Sequence, residues 1–220
     1  MQELNLDNNR IMLEKKKLSR NTYEFLKRLM DIICSMSALI VLAPILIVVA
    51  ILIKIESKGP VIFSQERVGI NNKKFKMYKF RSMVVNAEDM KGKLEKQNER
   101  KGPMFKIKND PRVTTIGRFI RKTSIDELPQ LINILKGEMS IVGPRPSLPK
   151  EVIQFEPWML ERLKVKPGLT CYWQVQGRDH IEFEDWMRLD VKYVKDRNFL
   201  LDIKLIFKTF FVFLGDQNAS

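Results

Sequence analysis

The apolar and polar positions of this chain change rhythm several times, and each change marks an element. From Ile32 to Ile53, "IICSMSALIVLAPILIVVAILI", 22 residues carry no charge. As a helix this run reaches ~33 Å, about the thickness of a bilayer's hydrocarbon core. It is too long and too far from the N-terminus for a signal peptide, and no small-residue cleavage site follows it. The competing reading is the buried core helix of a soluble protein. Lys27 and Arg28 precede the run, and Lys54 and Lys58 follow it. With basic residues at both ends, the positive-inside rule asks for both ends on one side. Pro44, near the middle, removes a backbone hydrogen bond and predicts a bend at Ala43-Pro44. A re-entrant helix that returns to its own face satisfies both observations. A kinked spanning helix satisfies only the second.

Upstream, "RIMLEKKKLSRNTYEFLKR" reads as a basic amphipathic helix near the cytoplasmic surface. Downstream, Gly59-Pro60 punctuates and "VIF" reads as a short strand. Asn71-Asn72 marks a turn. Phe75, Met77 and Tyr78/Phe80 then alternate with Lys76, Lys79 and Arg81, which predicts a hairpin with a cationic edge. Ala87 to Lys101 is polar nearly all round and predicts an exposed helix. "LPQLINIL" is apolar at helical spacing, so a helix begins within Ser124 to Pro129. Tyr172, Trp173 and Val175 read as the packing face of a strand. From Phe199 to Gly215 apolar residues cover most of a helix surface, with Asp202, Lys204 and Lys208 as the only charges. That tail caps the core, or lies in the membrane interface with its lysines toward headgroups. The expected fold is an α-rich α+β membrane-associated domain. It has an N-terminal membrane helix with Pro44 near its middle, a small β-hairpin element and interfacial amphipathic helices. The expected divisions are a basic amphipathic segment (1–26), the membrane helix (27–58) and the remaining domain (59–220).

Charge sharpens this picture. Of a net +13, nearly all lies between Lys54 and Lys122, where 19 Lys/Arg face 7 Asp/Glu. Such a block suits phosphates, on nucleic acid, an anionic membrane or a small substrate; a solvated surface is the plainer reading. No base-stacking or groove-reading module is visible, and the apolar run argues against nucleic acid. The sole histidine, His180, argues against catalysis built on a serine–histidine or histidine–metal cluster and leaves a metal site at Asp179, His180 and Glu182 without a second imidazole. The two cysteines, Cys34 and Cys171, suggest no disulfide framework and a reducing compartment.

Within this basic surplus, "SIDELPQ" puts Asp126 directly beside Glu127. Two registers compete. Ser124 and Glu127 fit a capping box; alternatively Asp126 is the cap and Pro129 falls at the third helical position. Either places the carboxylates at the positive end of a helix and keeps them ionised. An ionised Asp is a nucleophile toward phosphorus, and a second carboxylate holds Mg²⁺ or handles a proton. Arg145, set between Pro144 and Pro146 in "SIVGPRPS", has a restricted backbone that aims one guanidinium, whether at a phosphate or simply out of a rigid turn.

These stretches resemble the bacterial sugar transferases, the monotopic polyprenyl-phosphate phosphoglycosyl transferases. The resemblance is carried by "KRLMDI", the Pro44-bearing run, "SKGPVIFSQERVG", "FKMYKFRSM", "RKTSIDELPQLINILKGEMSIVGPRPS", "VKPGLTCYWQVQGR" and "YVKDRNFLLDIKLIFKT". It covers almost everything from Lys27 to Thr209. Ala43 stands where the family often has serine, so the proline alone must do more of the bending. The resemblance implies a re-entrant helix bent at Ala43-Pro44 in the bacterial cytoplasmic membrane, with the catalytic domain on the cytoplasmic face. It implies that Asp126 and Glu127 are the catalytic pair, with Mg²⁺ near them. Asp126 would attack the β-phosphorus of a UDP-sugar, release UMP and pass the sugar phosphate to undecaprenyl phosphate. Arg145 is the expected phosphate-binding arginine, with Arg121, Lys79 and Arg81 as further candidates. Gln174 and Arg178 of "CYWQVQGR" are candidates for the sugar or nucleotide site. The "WQVQGR" tail is more like the hexose enzymes of capsule and exopolysaccharide synthesis, which points to galactose or glucose; an N-acetylated amino sugar stays open. A catalytically silent membrane scaffold is the alternative, and a homodimer through the apolar tail or exposed helices is left open.

Overall fold

The computed structural model describes residues 2–94, 98, 107, 109–176 and 181–215; side chains are described from residue 20 onward within these, except at 91 and 213–215. The long first helix, α1, runs from Gln2 to Glu56 with Pro44 inside it. An antiparallel hairpin follows, β1 (Ile62–Val68) and β2 (Lys74–Phe80), in register from Ile62 opposite Phe80 to Val68 opposite Lys74. At its tip Asn71 and Asn72 take positive φ of 53° and 60°, the left-handed conformation that asparagine tolerates best after glycine. The turn and the alternation thus fall where the sequence places them, and the strand begun by "VIF" extends through Val68. Helix α2 covers Ala87–Leu94, the first half of the exposed helix expected to Lys101; most of the remainder lies outside the described residues.

Helix α3 (Thr115–Lys122) is capped twice at its start. The Thr114 hydroxyl accepts from the Gly117 N–H at 2.9 Å, and Glu56 at the end of α1 accepts from the Thr115 N–H at 2.6 Å. A 3-10 turn at Ile125–Glu127 then leads into α4 (Gln130–Lys136). Strands β3 (Ser140–Val142) and β4 (Gly168–Thr170) pair in parallel. Between them lie α5 (Pro149–Val152) and a 3-10 helix, Met159–Lys164. Helices α6 (Tyr172–Gln176), α7 (Phe183–Asp196) and α8 (Phe199–Gly215) complete the chain. Tyr172, Trp173 and Val175 are therefore on a short helix and not on a strand. They still pack on the core around Val142, Tyr193 and Leu205. Three apolar positions in five residues leave helix and strand indistinguishable by period alone.

Helix α1 is not a buried core helix: of its most apolar 18-residue window, 11% is covered. One face packs on the body along the whole apolar run. Ala38 and Leu39 meet Met77, Leu131, Ile134 and Met139, and farther along Leu46, Val49, Ala50 and Ile53 meet Phe80 and Ile120. The opposite face, with Ile33, Ile40, Val41, Ile47, Val48, Ile51 and Ile55, is bare. Polar ties fasten both ends. Arg28 donates to the carbonyls of Ile134 and Leu135 at 2.6 and 2.7 Å, and Asp31 accepts from the Ser140 hydroxyl and the Ile141 N–H. Lys27 and Asp202 of α8 form a buried ion pair at 2.7 Å, joined by the hydroxyls of Tyr23 and Tyr193. Helix α8 caps the core with one face and leaves the other exposed. Asp202 and Leu205 are buried, while Leu200, Phe207, Phe210 and Phe211 are exposed beside exposed Lys204 and Lys208.

Candidate active site

Three neighbouring elements meet at the carboxylate pair. Helix α3 ends at Thr123, and Ser124 turns the chain with a left-handed φ of 55°. Neither helix register drawn from the sequence forms. The Ser124 side chain caps nothing, and Pro129, not Asp126, occupies the position before the first residue of α4. The turn is tighter than a helix start, and its bonds are backbone ones, from the Glu127 N–H to the Ser124 carbonyl and from the Leu128 N–H to the Ile125 carbonyl. The Glu127 side chain is thereby released from capping and points toward cations.

Lys79, near the end of β2, comes within 2.6 Å of Glu127 Oε1 and 3.9 Å of Asp126 Oδ2. Arg145 approaches the same Glu127 oxygen at 3.5 Å. Asn133 of α4, wholly buried, fixes the hairpin at this distance. Its amide accepts from the Tyr78 N–H and donates to the Lys76 carbonyl, so it pairs with the edge of β2 as another strand would. Sequence reasoning missed this residue. The available signal was an asparagine on the apolar face of "LPQLINIL", two positions from Leu131 and next to Ile134.

Asp126 is buried, and burial pushes its carboxyl above the usual range; Lys79 opposes this, Glu127 adds to it, and Arg121 and Arg145 oppose it. The sequence expectation was that a helix dipole keeps both carboxylates ionised at neutral pH, and it did not include this burial. The difference is physical. The turn buries Asp126, and desolvation of a carboxylate outweighs a short helix's partial charge.

The cations divide into two groups. Lys79 and Arg145 line an open cleft of about 250 Å³ together with Glu127, Gln130, Leu169 and Gln174. Arg121 sits exposed on α3 and reaches Asp126 only through its field. Arg81 is not brought to the carboxylates. It is buried and caps the end of α1, donating to Ser57 O and Oγ at 2.8 Å and to the Lys58 carbonyl at 3.1 Å. Arg178, Asp179 and His180 lie outside the described residues. Ala43 and Pro44 belong to α1 and touch none of this.

Arg67 is a cation the sequence reading passed over. It donates to the Pro146 carbonyl at 3.0 Å, and burial together with nearby Arg145 lowers its pKa to about 10.

As a metal site the pair offers hard oxygens. No cluster of three or more His, Cys, Asp or Glu exists among the described residues. Mg²⁺ is commonly held by one or two carboxylates with substrate phosphates and water completing its shell, so Asp126 and Glu127 fit a shared metal and not a protein-only cage.

The structure thus sets a carboxylate pair ringed by cations beside an apolar helix that has one bare face and is long enough to span or re-enter a membrane. The chain belongs to the bacterial sugar transferase family, whose model matches residues 22–216. It is 44% identical over 205 residues to a galactosyl transferase, CpsE, of Streptococcus agalactiae serotype III, covering 93% of this chain and 45% of that protein. It is 42% identical over 210 residues to the undecaprenyl-phosphate galactose phosphotransferase of Salmonella typhimurium, covering 92% and 43%. The exopolysaccharide production protein ExoY of Sinorhizobium fredii is 38% identical, with 83% of each chain covered. The chain thus spans less than half the length of the first two relatives and most of the third.

Proposed function

We propose that this protein is a phosphoglycosyl transferase that moves a sugar 1-phosphate from a UDP-sugar to undecaprenyl phosphate at the cytoplasmic membrane, the first membrane step of a surface polysaccharide. The observation that carries this reading is the buried Asp126 beside Glu127, with Lys79 and Arg145 converging on the same cleft.

In the first step an Asp126 carboxylate oxygen attacks the β-phosphorus. A new O–P bond forms, the bridging P–O bond breaks, and UMP leaves with that bond's electron pair. In the second, the lipid phosphate oxygen attacks the same phosphorus and Asp126 departs as carboxylate. Splitting one transfer into two displacements lets each phosphate be positioned in turn. Lys79 and Arg145 offset the charge gathering on the equatorial oxygens, and arginine does so with paired donors. Lys79 also favours the ionised form of Asp126 against its burial. Glu127, bridged to both cations, holds them before substrate arrives. Mg²⁺, held by Asp126 and Glu127 with the diphosphate, would supply further neutralisation of that charge.

Support for the membrane placement comes from α1. Residues before and after its apolar run are bonded to one folded body, Arg28 to α4 and Glu56 to α3. A segment whose two ends share one polar body does not cross a bilayer, which supports re-entry with the bend at Ala43-Pro44. Galactose or glucose is the proposed sugar. The names of three relatives carry galactose or galactosyl, that of another from Komagataeibacter xylinus carries glucose, and that of one from Aeromonas hydrophila carries N-acetylgalactosamine.

The test uses purified protein, Mg²⁺ and UDP-galactose or UDP-glucose with no lipid acceptor. One equivalent of UMP and a hexose-phosphate mass increment on the Asp126 peptide are expected, and Asp126→Asn abolishes both. UMP that appears only with undecaprenyl phosphate, with no adduct trapped, would overturn the covalent route. No turnover with any UDP-sugar and acceptor would leave the scaffold.

A further inference from the structure

Arg145 stands on a loop between β3 and α5, and a loop alone is a loose mount for a group that must meet a phosphate in one geometry. The structure shows what stiffens it. The Ser147 carbonyl accepts from the Val68 N–H at 2.9 Å, and the Pro146 carbonyl accepts from Arg67 at 3.0 Å. The third tie comes from beneath. Arg162, on the 3-10 helix, donates to the Arg145 carbonyl at 2.6 Å and to the Ser147 hydroxyl. Its guanidinium is held in turn by Asp190 of α7, at 2.6 Å, and lies 5.6 Å from the centres of the Phe155 and Trp186 rings. Both members of the pair are enclosed, with side chains 1% and 0% exposed.

The pair is a poor device for stability alone. Two charges are taken out of water, and Arg162 Nε remains buried with no hydrogen-bond partner. Apolar residues of similar size would serve a core as well or better. What they could not do is grip the Arg145 carbonyl and the Ser147 hydroxyl together. We infer that the Arg162–Asp190 pair positions Arg145, holding its main chain so that the guanidinium meets the diphosphate of the nucleotide sugar. Neither residue lines the cleft beside Asp126. The inference rests on Arg145 being a phosphate ligand, and it adds two residues that act through it.

The test is a double-mutant cycle on the full chain in lipid nanodiscs, read as the calorimetric affinity for UDP with Mg²⁺ at pH 8, where the probe is fully ionised. Arg145→Ala is expected to weaken binding about tenfold or more, the loss of a charge-assisted pair. Asp190→Asn, which keeps shape but removes charge, is expected to weaken it about fivefold. The double variant should bind no more weakly than Arg145→Ala alone, because residues acting through one contact do not add. A simple structural defect would instead multiply the two losses, and that result overturns the inference, as does a folded Asp190→Asn that binds like the parent. If Asp190→Asn does not fold, Arg162→Lys and Ser147→Ala go through the same cycle under the same criteria. A parent that binds UDP while Arg145→Ala binds it equally well overturns the phosphate assignment itself, a different failure from that of the pair.

Discussion

At Asp126 burial and charge pull in opposite directions, and the balance sets when the group can act. Burial raises its pKa and Lys79 is the first influence against that. The reactive form is the ionised one, so activity fades as pH falls through the raised value. Lys79→Gln removes the opposing charge, and the acid limb of UMP release at saturating UDP-sugar should move to higher pH. An unmoved limb would mean that Lys79 does not act on Asp126. Asp190 shows the same contest with a different outcome. Burial lifts it to about 6 despite Arg162. Between about pH 4 and 6 its folded form therefore holds a proton that the unfolded chain releases, and the associated stability is full below about pH 4 and lost as pH rises through about 6, above which the ion pair with Arg162 is fully charged. Denaturation midpoints between pH 4 and 7 should carry this slope in the parent and lose it in Asp190→Asn.

Among the elements, the parallel pair β3–β4 is the rigid floor under the Arg145 loop, and it depends on two glycines. A Cβ on Gly168 would lie 2.2 Å from the Gly143 nitrogen, and one on Gly143 would lie 2.4 Å from the Lys166 carbonyl oxygen. Backbone cannot give way as a side chain can. Gly168→Ala is expected to cost about 1–3 kcal/mol, the range for overpacking a tight core, with a lowered thermal midpoint as the measurement. Asn133→Ala should cost a similar amount, about 1–3 kcal/mol for leaving the β2 edge groups unsatisfied. The hairpin was legible because its signals are local, an Asn-Asn turn between alternating runs. The apolar helix was legible because length and absence of charge suffice. The turn at Ser124 was not, since S-x-x-E fits a capping box whatever the chain does next. Arg81 was misjudged for a related reason. "KFRS" sets Arg81 two residues from Lys79, which strand alternation would send to the same face, but β2 stops at Phe80 and Arg81, beyond it, turns to the end of α1. Asn133, Arg162 and Asp190 act between elements far apart in sequence, where no local pattern reports them.

For the whole molecule, the bare face of α1 and the phenylalanines of α8 present apolar surface with lysines beside it, and both ends of α1 are tied to one body. Re-entry predicts a definite labelling pattern. With Cys34 and Cys171 replaced by serine, single cysteines at Asn21 and at Ser57 should react with an impermeant thiol reagent from the same side of sealed vesicles. Reaction from opposite sides would establish a crossing and discard the re-entrant reading. The ion pair between Lys27 and Asp202 has a consequence in time. Its partners are separated by 175 residues. At ribosomal speeds of 5–20 residues per second, Lys27 is made about 10 to 35 seconds before the carboxylate that will neutralise it. The first helix is therefore made while its anchoring charge is still unpaired, and the contact between α1 and α8 can close only after Asp202 has been added.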